Sequence, residues 1–268
     1  MKPLERQSEI LSFLRAMQRE VRVEELSSTL AVSQLTIRRD LDQLAQDSTI
    51  IRTQGGCIAV GRAALESEYH KKVGLNYELK QAIGREASRE VSDGNTLLLN
   101  DGSTIFHLAA HLTERHNLTI FTNSLALITE TSRLDGVKLF ILGGEYSDSS
   151  YSLRGSLLEQ VLENYTFDIV FLGADAVDIK GRCMVASTEE ARLTKIMLRS
   201  GTRKILLADH TKAGAAGHCS YGKLADFDTW ITTAGMNQAN LDEFRTMTNV
   251  RPVLSGANPM TVPQDSGH

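Results

Sequence analysis

Residues 32–44, Val-Ser-Gln-Leu-Thr-Ile-Arg-Arg-Asp-Leu-Asp-Gln-Leu, place Ile37, Leu41 and Leu44 at steps of four and three. That spacing sets all three on one face of a helix. Ser33 stands where an N-cap belongs, its hydroxyl able to accept from an orphan backbone N–H. Gln34, Thr36, Arg38, Arg39 and Asp42 fall on the other faces. The pattern predicts a helix that buries a narrow apolar stripe and turns amides, a hydroxyl and two guanidiniums outward. Those groups suit base edges and phosphates in a major groove. Upstream, residues 3–17 carry Leu4, Ile10, Leu11, Leu14 and Met17, mostly at helical spacing. Val21 and Val23 pattern as a short strand, and residues 24–30 as a second short helix with Leu26 and Leu30 inward. The link Ala31-Val32-Ser33 has the length a helix-turn-helix requires. Downstream, β-prone residues 49–53 and 57–60 flank Gln54-Gly55-Gly56, which predicts a hairpin. A hairpin there is the wing of a winged helix, and Arg52 would reach a phosphate.

The pattern changes after residue 60. Residues 61–80 are polar, with Glu68, His70, Lys71 and Lys72 bunched together, and read as a linker. A helix follows from about Glu78 to Val91, burying Ile83, Ala87 and Val91. Then short, nearly continuous apolar runs set in at 96–99, 118–121, 137–142, 167–172, 204–208 and 229–231. Such runs suit strands buried on both faces of a parallel sheet. Helical patterns separate most of them, at 105–112, 124–132, 157–165 and 189–199. This is α/β architecture with right-handed crossovers. The division expected is therefore a winged helix-turn-helix over 1–60, a linker over 61–80, an α/β domain over 81–256 and a frayed tail over 257–268.

In open α/β sheets ligands bind beyond the carboxyl ends of the strands. The first run ends in Asn100, Asp101, Gly102, Ser103 and Thr104 before a helix, a combination able to cradle a phosphate. The next ends in Thr122-Asn123-Ser124, the third in Gly143-Gly144-Glu145, the fourth in Gly173-Ala174-Asp175, and the fifth in Asp209-His210-Thr211-Lys212. These are also ordinary turn and cap residues; their weight lies in recurring at one edge. Lys195, on the helix after Glu189 and Glu190, reads as a surface residue or as a point charge for a ligand phosphate.

Composition narrows this picture. The chain has 268 residues, enough for two domains and a sizeable core. Its hydrophobic fraction of 41% and charged fraction of 23% are those of a soluble globular protein. There is no apolar run long enough for a membrane span and no apolar signal core, so a cytoplasmic protein without membrane partners is expected. Cys57, Cys183 and Cys219 are widely spaced and odd in number, suggesting reduced thiols rather than disulfides or zinc. No metal, cofactor or catalytic residue is expected. The net charge is -4, and residues 1–60 hold as many acids as bases. Charge therefore supplies no nucleic-acid footprint, and an oligomer, which multiplies phosphate contacts, is the natural compensation.

Residues 32–44, followed by Ile-Arg-Thr-Gln-Gly-Gly, resemble the N-terminal signature of the DeoR/GlpR family of bacterial transcriptional regulators. In order, Asp-Gly-Ser-Thr, Thr-Asn-Ser, Leu-Gly-Gly, Phe-Asp-Ile-Val-Phe-Leu-Gly-Ala-Asp, Ser-Thr-Glu-Glu-Ala-Arg-Leu-Thr-Lys and Leu-Ala-Asp-His-Thr-Lys look like the landmarks of its sensor domain. The resemblance covers about residues 1–250. It implies a C-terminal parallel α/β sugar-phosphate sensor, similar in fold to ribose-5-phosphate isomerase and glucosamine-6-phosphate deaminase.

By that likeness Ser33, Gln34, Thr36, Arg38, Arg39 and Arg52 would meet double-stranded operator DNA. Asp101, Gly102, Ser103 and Thr104 would form the first effector loop, with Thr122 and Asn123 as the second, and Gly143 and Gly144 would let the third come close. Glu189 and Lys195 would face the phosphorylated sugar or polyol, and Asp209 and Lys212 would close the pocket. A dimer or tetramer that represses a sugar-use operon is implied. Two departures stand out: the sixth run is followed by Thr232-Thr233-Ala234-Gly235 rather than an acidic residue, and the loop 213–218 is unusually small. The rival reading is a sugar-phosphate isomerase or deaminase with an appended winged helix, in which Asp101, Glu189 and Lys195 do acid–base work. A sensor that has lost its ligand is a third.

Overall fold

The computed structural model describes residues 3–17, 19–46, 50–53, 55–59 and 68–255. The first helix, α1, spans Pro3–Met17. A two-residue strand β1 (Val21–Arg22) leads directly into α2 (Val23–Leu30), and α3 covers Gln34–Gln46. Strands β2 (Ile50–Arg52) and β3 (Gly56–Ala59) make the hairpin, and β1 joins it in the antiparallel order β1-β3-β2. Ile37, Leu41 and Leu44 are buried as their spacing requires, against Ile10, Leu14, Leu26 and Ile50. Val23 belongs to α2 and not to the strand. Its N–H bonds Gly55 O at 3.0 Å, which ends the ladder there. Ala31, at φ 52°, closes α2 in the left-handed conformation, its N–H bonding Ser27 O. On α3 one charged residue goes inward: Asp40 is buried and accepts from Nε and Nη2 of Arg6 on α1, at 2.5 and 3.1 Å.

The segment expected to be a linker is partly helical. Helix α4 spans Glu68–Gly74 and α5 Tyr77–Ser88, separated by Leu75 and by Asn76 at φ 56°. Tyr69 and Val73, four apart, are both buried; a single apolar pair among charges carries too little periodicity to announce a helix.

The remaining elements run β4 (Thr96–Leu99), α6 (Ser103–Ala109), β5 (Thr119–Thr122), α7 (Ala126–Thr131), β6 (Lys138–Ile141), β7 (Glu145–Ser147), β8 (Ser152–Arg154), α8 (Ser156–Leu162), β9 (Phe167–Gly173), β10 (Ala176–Val177), β11 (Arg182–Val185), α9 (Thr188–Arg199), β12 (Gly201–Leu207), β13 (Cys219–Lys223), β14 (Thr229–Thr233), α10 (Gln238–Arg245) and β15 (Asn249–Val253). Seven strands form one parallel sheet, in the order β15-β14-β12-β9-β4-β5-β6. Alternate residues of each strand feed two cores. Leu97 and Leu99 pack under α5, α6 and α7, whereas Leu98 packs under α8 and α9. The hairpin β7–β8 and the antiparallel sheet β10-β11-β13 leave the periodic pattern. Their strands are two to five residues long and partly polar, so no hydrophobic period marks them. Residues 257–268, expected to fray, lie outside the described residues.

Helices α5 and α6 approach closely at Gly84, where a Cβ would sit 2.6 Å from the backbone oxygen of His107. A Gly84→Ala change gains about 1 kcal/mol of helix propensity. It forces two backbones apart at a cost of about 1–3 kcal/mol. Denaturant titration should show a net loss of stability; a gain would mean that the helices separate freely.

Candidate functional site

Two surfaces carry the polar groups singled out above. The first is the outward side of α3. Ser33 caps it, its hydroxyl accepting from the N–H of Thr36 at 3.3 Å. The Thr36 hydroxyl turns back onto Ser33 Oγ at 2.9 Å and is half-buried, while Gln34, Arg38 and Arg39 are exposed. Leu35 stands beside them 61% exposed, an apolar group at the head of the helix that the amphipathic reading passed over. Arg52 is not extended into solvent. It is half-buried, with Nε 3.5 Å from Asp42, so it braces the wing strand against α3.

The second surface is the carboxyl edge of the parallel sheet. Asp101 follows β4 and accepts a hydrogen bond from the Ser152 hydroxyl at 2.6 Å. Ser152 contacts Ser150 at 2.7 Å, and Arg154 donates to Ser150 at 2.8 Å. The β7–β8 hairpin thus brings a guanidinium to the β4 loop. Asp175 follows β9 and lies 3.6 Å from Lys72 of α4. Glu190, in the first turn of α9, completes the group. Burial, together with the charges of Asp101 and Asp175, pushes its carboxyl up to about 7, against the pull of Arg154 and Lys72.

Beside this cluster, Asp209 at the end of β12 is fully buried. One carboxylate oxygen accepts from the N–H and hydroxyl of Thr211, and the other has no hydrogen-bond partner. Lys80 of α5 lies near it and donates to the carbonyl of Lys72. Burial draws its ammonium down to about 8; Asp209 opposes that, and Lys212 and Lys72 reinforce it. Asn123, after β5, donates to Leu153 O at 3.2 Å and keeps a buried amide oxygen unpartnered. Thr122 is fully buried and accepts from the N–H of Ser124 at 3.0 Å. Thr104 is buried and Ser103 half-buried at the start of α6, where Gly102 supplies no capping side chain. Unsatisfied buried oxygens, cations and carboxylates at one edge are what a polar, phosphorylated ligand requires.

Several expected positions differ. Glu189 is exposed; its neighbour Glu190 shares a face with buried Thr194 and Met197 and turns inward. Lys195 lies on the far side of α9, in a cleft of about 730 Å³ with Arg199, Lys204 and Lys223 and away from Asp101. Gly144 is required because Arg154 backs onto it, an added Cβ falling 2.0 Å from that carbonyl, whereas Gly143 faces open space. The sequence reading missed Lys72, Lys80 and Arg154. Only Lys80 left a signal, a lysine in register with Ile83 and Ala87 on a buried helix face. Among the described residues no group of His, Cys, Asp and Glu could hold a metal ion, and no helix is long and apolar enough to cross a membrane.

The two surfaces are joined through α4 and α5. Tyr69 lies buried beside Asp101, whose charge adds to burial in pushing its phenol up. At the other end of α4, Gly74 abuts Ile51 of the wing, where a Cβ would fall 2.2 Å from a side-chain methyl. The Tyr77 hydroxyl accepts from the N–H of Glu20 at 3.2 Å and from Gln81 at 3.1 Å. Gln81 contacts His107 Nδ1 at 2.9 Å and His111 at 2.6 Å, and His107 Nε2 contacts Val73 O at 3.1 Å. Burial draws the His107 imidazole down to about 3, so it is neutral: Nδ1 accepts from Gln81 and Nε2 donates to Val73.

Comparison with known proteins finds two family descriptions in this chain. The family description "DeoR C terminal sensor domain" matches residues 75–234, and "DeoR-like helix-turn-helix domain" matches residues 6–62. The chain is 32% identical to the HTH-type transcriptional repressor GlcR of Bacillus subtilis, covering 89% of this chain and 91% of that protein. It is 29% identical to the transcriptional repressor AccR of Agrobacterium fabrum, over 86% and 90%. It is 26% identical to the glycerol-3-phosphate regulon repressor of Escherichia coli, over 87% and 92%. Among solved structures, ribose 5-phosphate isomerase A of Methanocaldococcus jannaschii is 21% identical with a TM-score of 0.37, over 51% of this chain and 54% of that one.

Glu190 generates a pH prediction. Its carboxyl is raised from 4.5 to about 7, so the folded state holds this proton more tightly than the unfolded state. The stability that this gives is present below 4.5 and is lost as pH rises through 7. Glu190→Gln should therefore raise Tm at pH 8 by about 2–4 °C and leave it near wild type at pH 5. An equal shift at both values would show that Glu190 is not held among like charges.

Proposed function

The chain belongs to the DeoR family of transcriptional regulators, and from that premise we propose that it is a cytoplasmic, homo-oligomeric repressor of a sugar or polyol operon, released from operator DNA by a phosphorylated sugar. The family membership makes it a regulator rather than the isomerase or deaminase that its sheet would also accommodate.

Gln34, Arg38 and Arg39 would read base edges, Ser33 and Thr36 would set the head of the helix on the backbone, and Leu35 would lie against thymine methyls. Arg52 fixes the wing for a backbone contact.

In the pocket, Lys72, Lys80, Arg154 and Lys212 would take the phosphate, and Asp101, Asp175 and Glu190 the sugar hydroxyls. The observation that carries this reading is the meeting of those cations and carboxylates at one sheet edge, with buried oxygens of Asn123 and Asp209 unsatisfied. One relative is named as the repressor of a glycerol-3-phosphate regulon, in keeping with an operon for a phosphorylated polyol. Coupling runs through α4, which touches the pocket at Tyr69 and Lys72 and the wing at Gly74. An effector that prefers one placement of α4 shifts the population of wing positions. A coupling of about 1–3 kcal/mol changes operator affinity about 5- to 150-fold.

Binding of the full chain to promoter fragments, followed by fluorescence anisotropy across a salt series, tests this. Salt-sensitive affinity, weakened by a phosphorylated sugar, is expected; no such affinity for any fragment, including those beside its own coding region, overturns it. Arg38→Ala should weaken binding by about 1–3 kcal/mol and relax specificity at one position. An unchanged affinity removes Arg38 from the base-reading set. Tyr77→Phe, which keeps the ring and deletes the shared acceptor, should leave basal affinity within about twofold and reduce the effector response several-fold. A full response would show that coupling bypasses the Tyr77–Gln81 network.

A further inference from the structure

The cleft that takes Lys195 lies toward the other end of the sheet. Lys204 stands on β12 and Asp228 just before β14, whereas Asp101, Asp175 and Asp209 follow the carboxyl ends of β4, β9 and β12. Its volume is about 730 Å³, within the range of about 300–1,000 Å³ found for small-molecule sites. Leu198 and Phe227, both buried, give it apolar lining. Lys195 and Arg199 of α9, Lys204 of β12 and Lys223 of β13 also line it, together with Arg182. Arg182 is committed to Asp178, 2.6 Å away. The other four cations have no ion-pair partner among the described residues. Two carboxylates line the cleft, and each bonds the backbone of a basic residue. Asp226 accepts from the N–H of Lys223 at 2.7 Å, and Asp228 from the N–H of Lys204 at 2.8 Å. Lys195 and Arg199 stand four apart on α9, a spacing at which like charges repel. Lys204 is half-buried, where solvent ions screen its charge less.

We propose that this cleft is a second ligand site, separate from the carboxyl edge, and that it takes a small metabolite bearing two or more phosphoryl groups. The charge of the lining selects the ligand. Five cations face two carboxylates there, so an anion enters against little repulsion and relieves the repulsion among the cations. The four uncommitted cations come from one helix and two strands, and a single phosphate cannot engage all of them closely. Two linked phosphoryl groups can, with Arg199 binding oxygens in pairs and the lysines acting as point charges. Leu198 and Phe227 leave apolar ground for the carbon skeleton that carries the phosphates. The carboxyl edge differs in kind, because its cations are interleaved with Asp101, Asp175 and Glu190, which suit hydroxyls. The cleft stands on its own geometry and goes beyond the regulatory reading without resting on it.

Titration calorimetry of the full chain without DNA tests this, with inorganic pyrophosphate, adenosine diphosphate and inorganic phosphate as probes. Saturable binding of the first two is expected, with inorganic phosphate weaker by about tenfold or more. No binding of either diphosphate overturns the proposal, and equal affinity for all three overturns the requirement for two phosphoryl groups. Lys195→Gln, Arg199→Gln and Lys223→Gln remove exposed charges, so Tm should hold while each weakens pyrophosphate by about tenfold. Arg154→Gln, at the carboxyl edge, should leave pyrophosphate binding unchanged. The reverse pattern, loss with Arg154→Gln and indifference to the three cleft variants, places the anion at the carboxyl edge and overturns the proposal. Cleft variants that weaken promoter binding but not pyrophosphate binding would make this a duplex contact and overturn it as well. A chain that binds pyrophosphate in the cleft but no promoter fragment would fell the regulatory reading and leave this site standing.

Discussion

Seven strands that all run the same way impose the constraint on which the rest of this molecule depends. Parallel strands need crossovers, the crossovers lay helices on both faces, and every strand end then opens at the same edge. Loops more than a hundred residues apart in sequence, after β4 at Asp101 and after β12 at Asp209, are brought to one rim in this way. Nothing about Asp101 or Asp209 alone makes a site. Their placement follows from hydrogen bonding along the parallel strands of one sheet.

That rim is electrostatically costly. Two carboxylates, Asp101 and Asp175, crowd around Glu190, and Lys80 sits buried beside Lys72 and Lys212. Charges so placed are tolerated when opposite charges are near, as Arg154 and Lys72 are to Glu190 and Asp209 is to Lys80. A ligand bearing both a phosphate and hydroxyls would complete such a set. Perturbed groups gathered in one place are better explained by binding than by stability.

The charged cluster at the sheet edge and the wing are far apart in sequence but share α4 as a neighbour. That seven-residue helix meets Asp175 through Lys72 and, two residues on, abuts the wing where Gly74 meets Ile51. The neutral His107, fixed between Gln81 and Val73 O, ties α4 and α5 to α6, which begins just after the Asp101 loop. A short element packed against both surfaces suits a shift between two arrangements, because close-packed contacts do not deform continuously.

The sequence by itself determined the elements whose apolar residues recur with a period. Ile37, Leu41 and Leu44 announce α3, and the continuous runs announce the central strands, because local spacing alone decides which face can be buried. It also located the loops at Asp101, Thr122 and Asp209, where strand patterns stop at small polar residues. Only the tertiary structure decided which charges enter the pocket. Glu190 rather than Glu189 turns inward, a difference of one residue and about 100° on a helix, settled by packing against β9 and β13. Lys195 goes to another cleft, and Arg154 and Lys72 arrive from a polar hairpin and a supposed linker that have no periodic signature. Periodicity records how a segment meets water; which distant segment it meets is fixed only when the chain closes on itself.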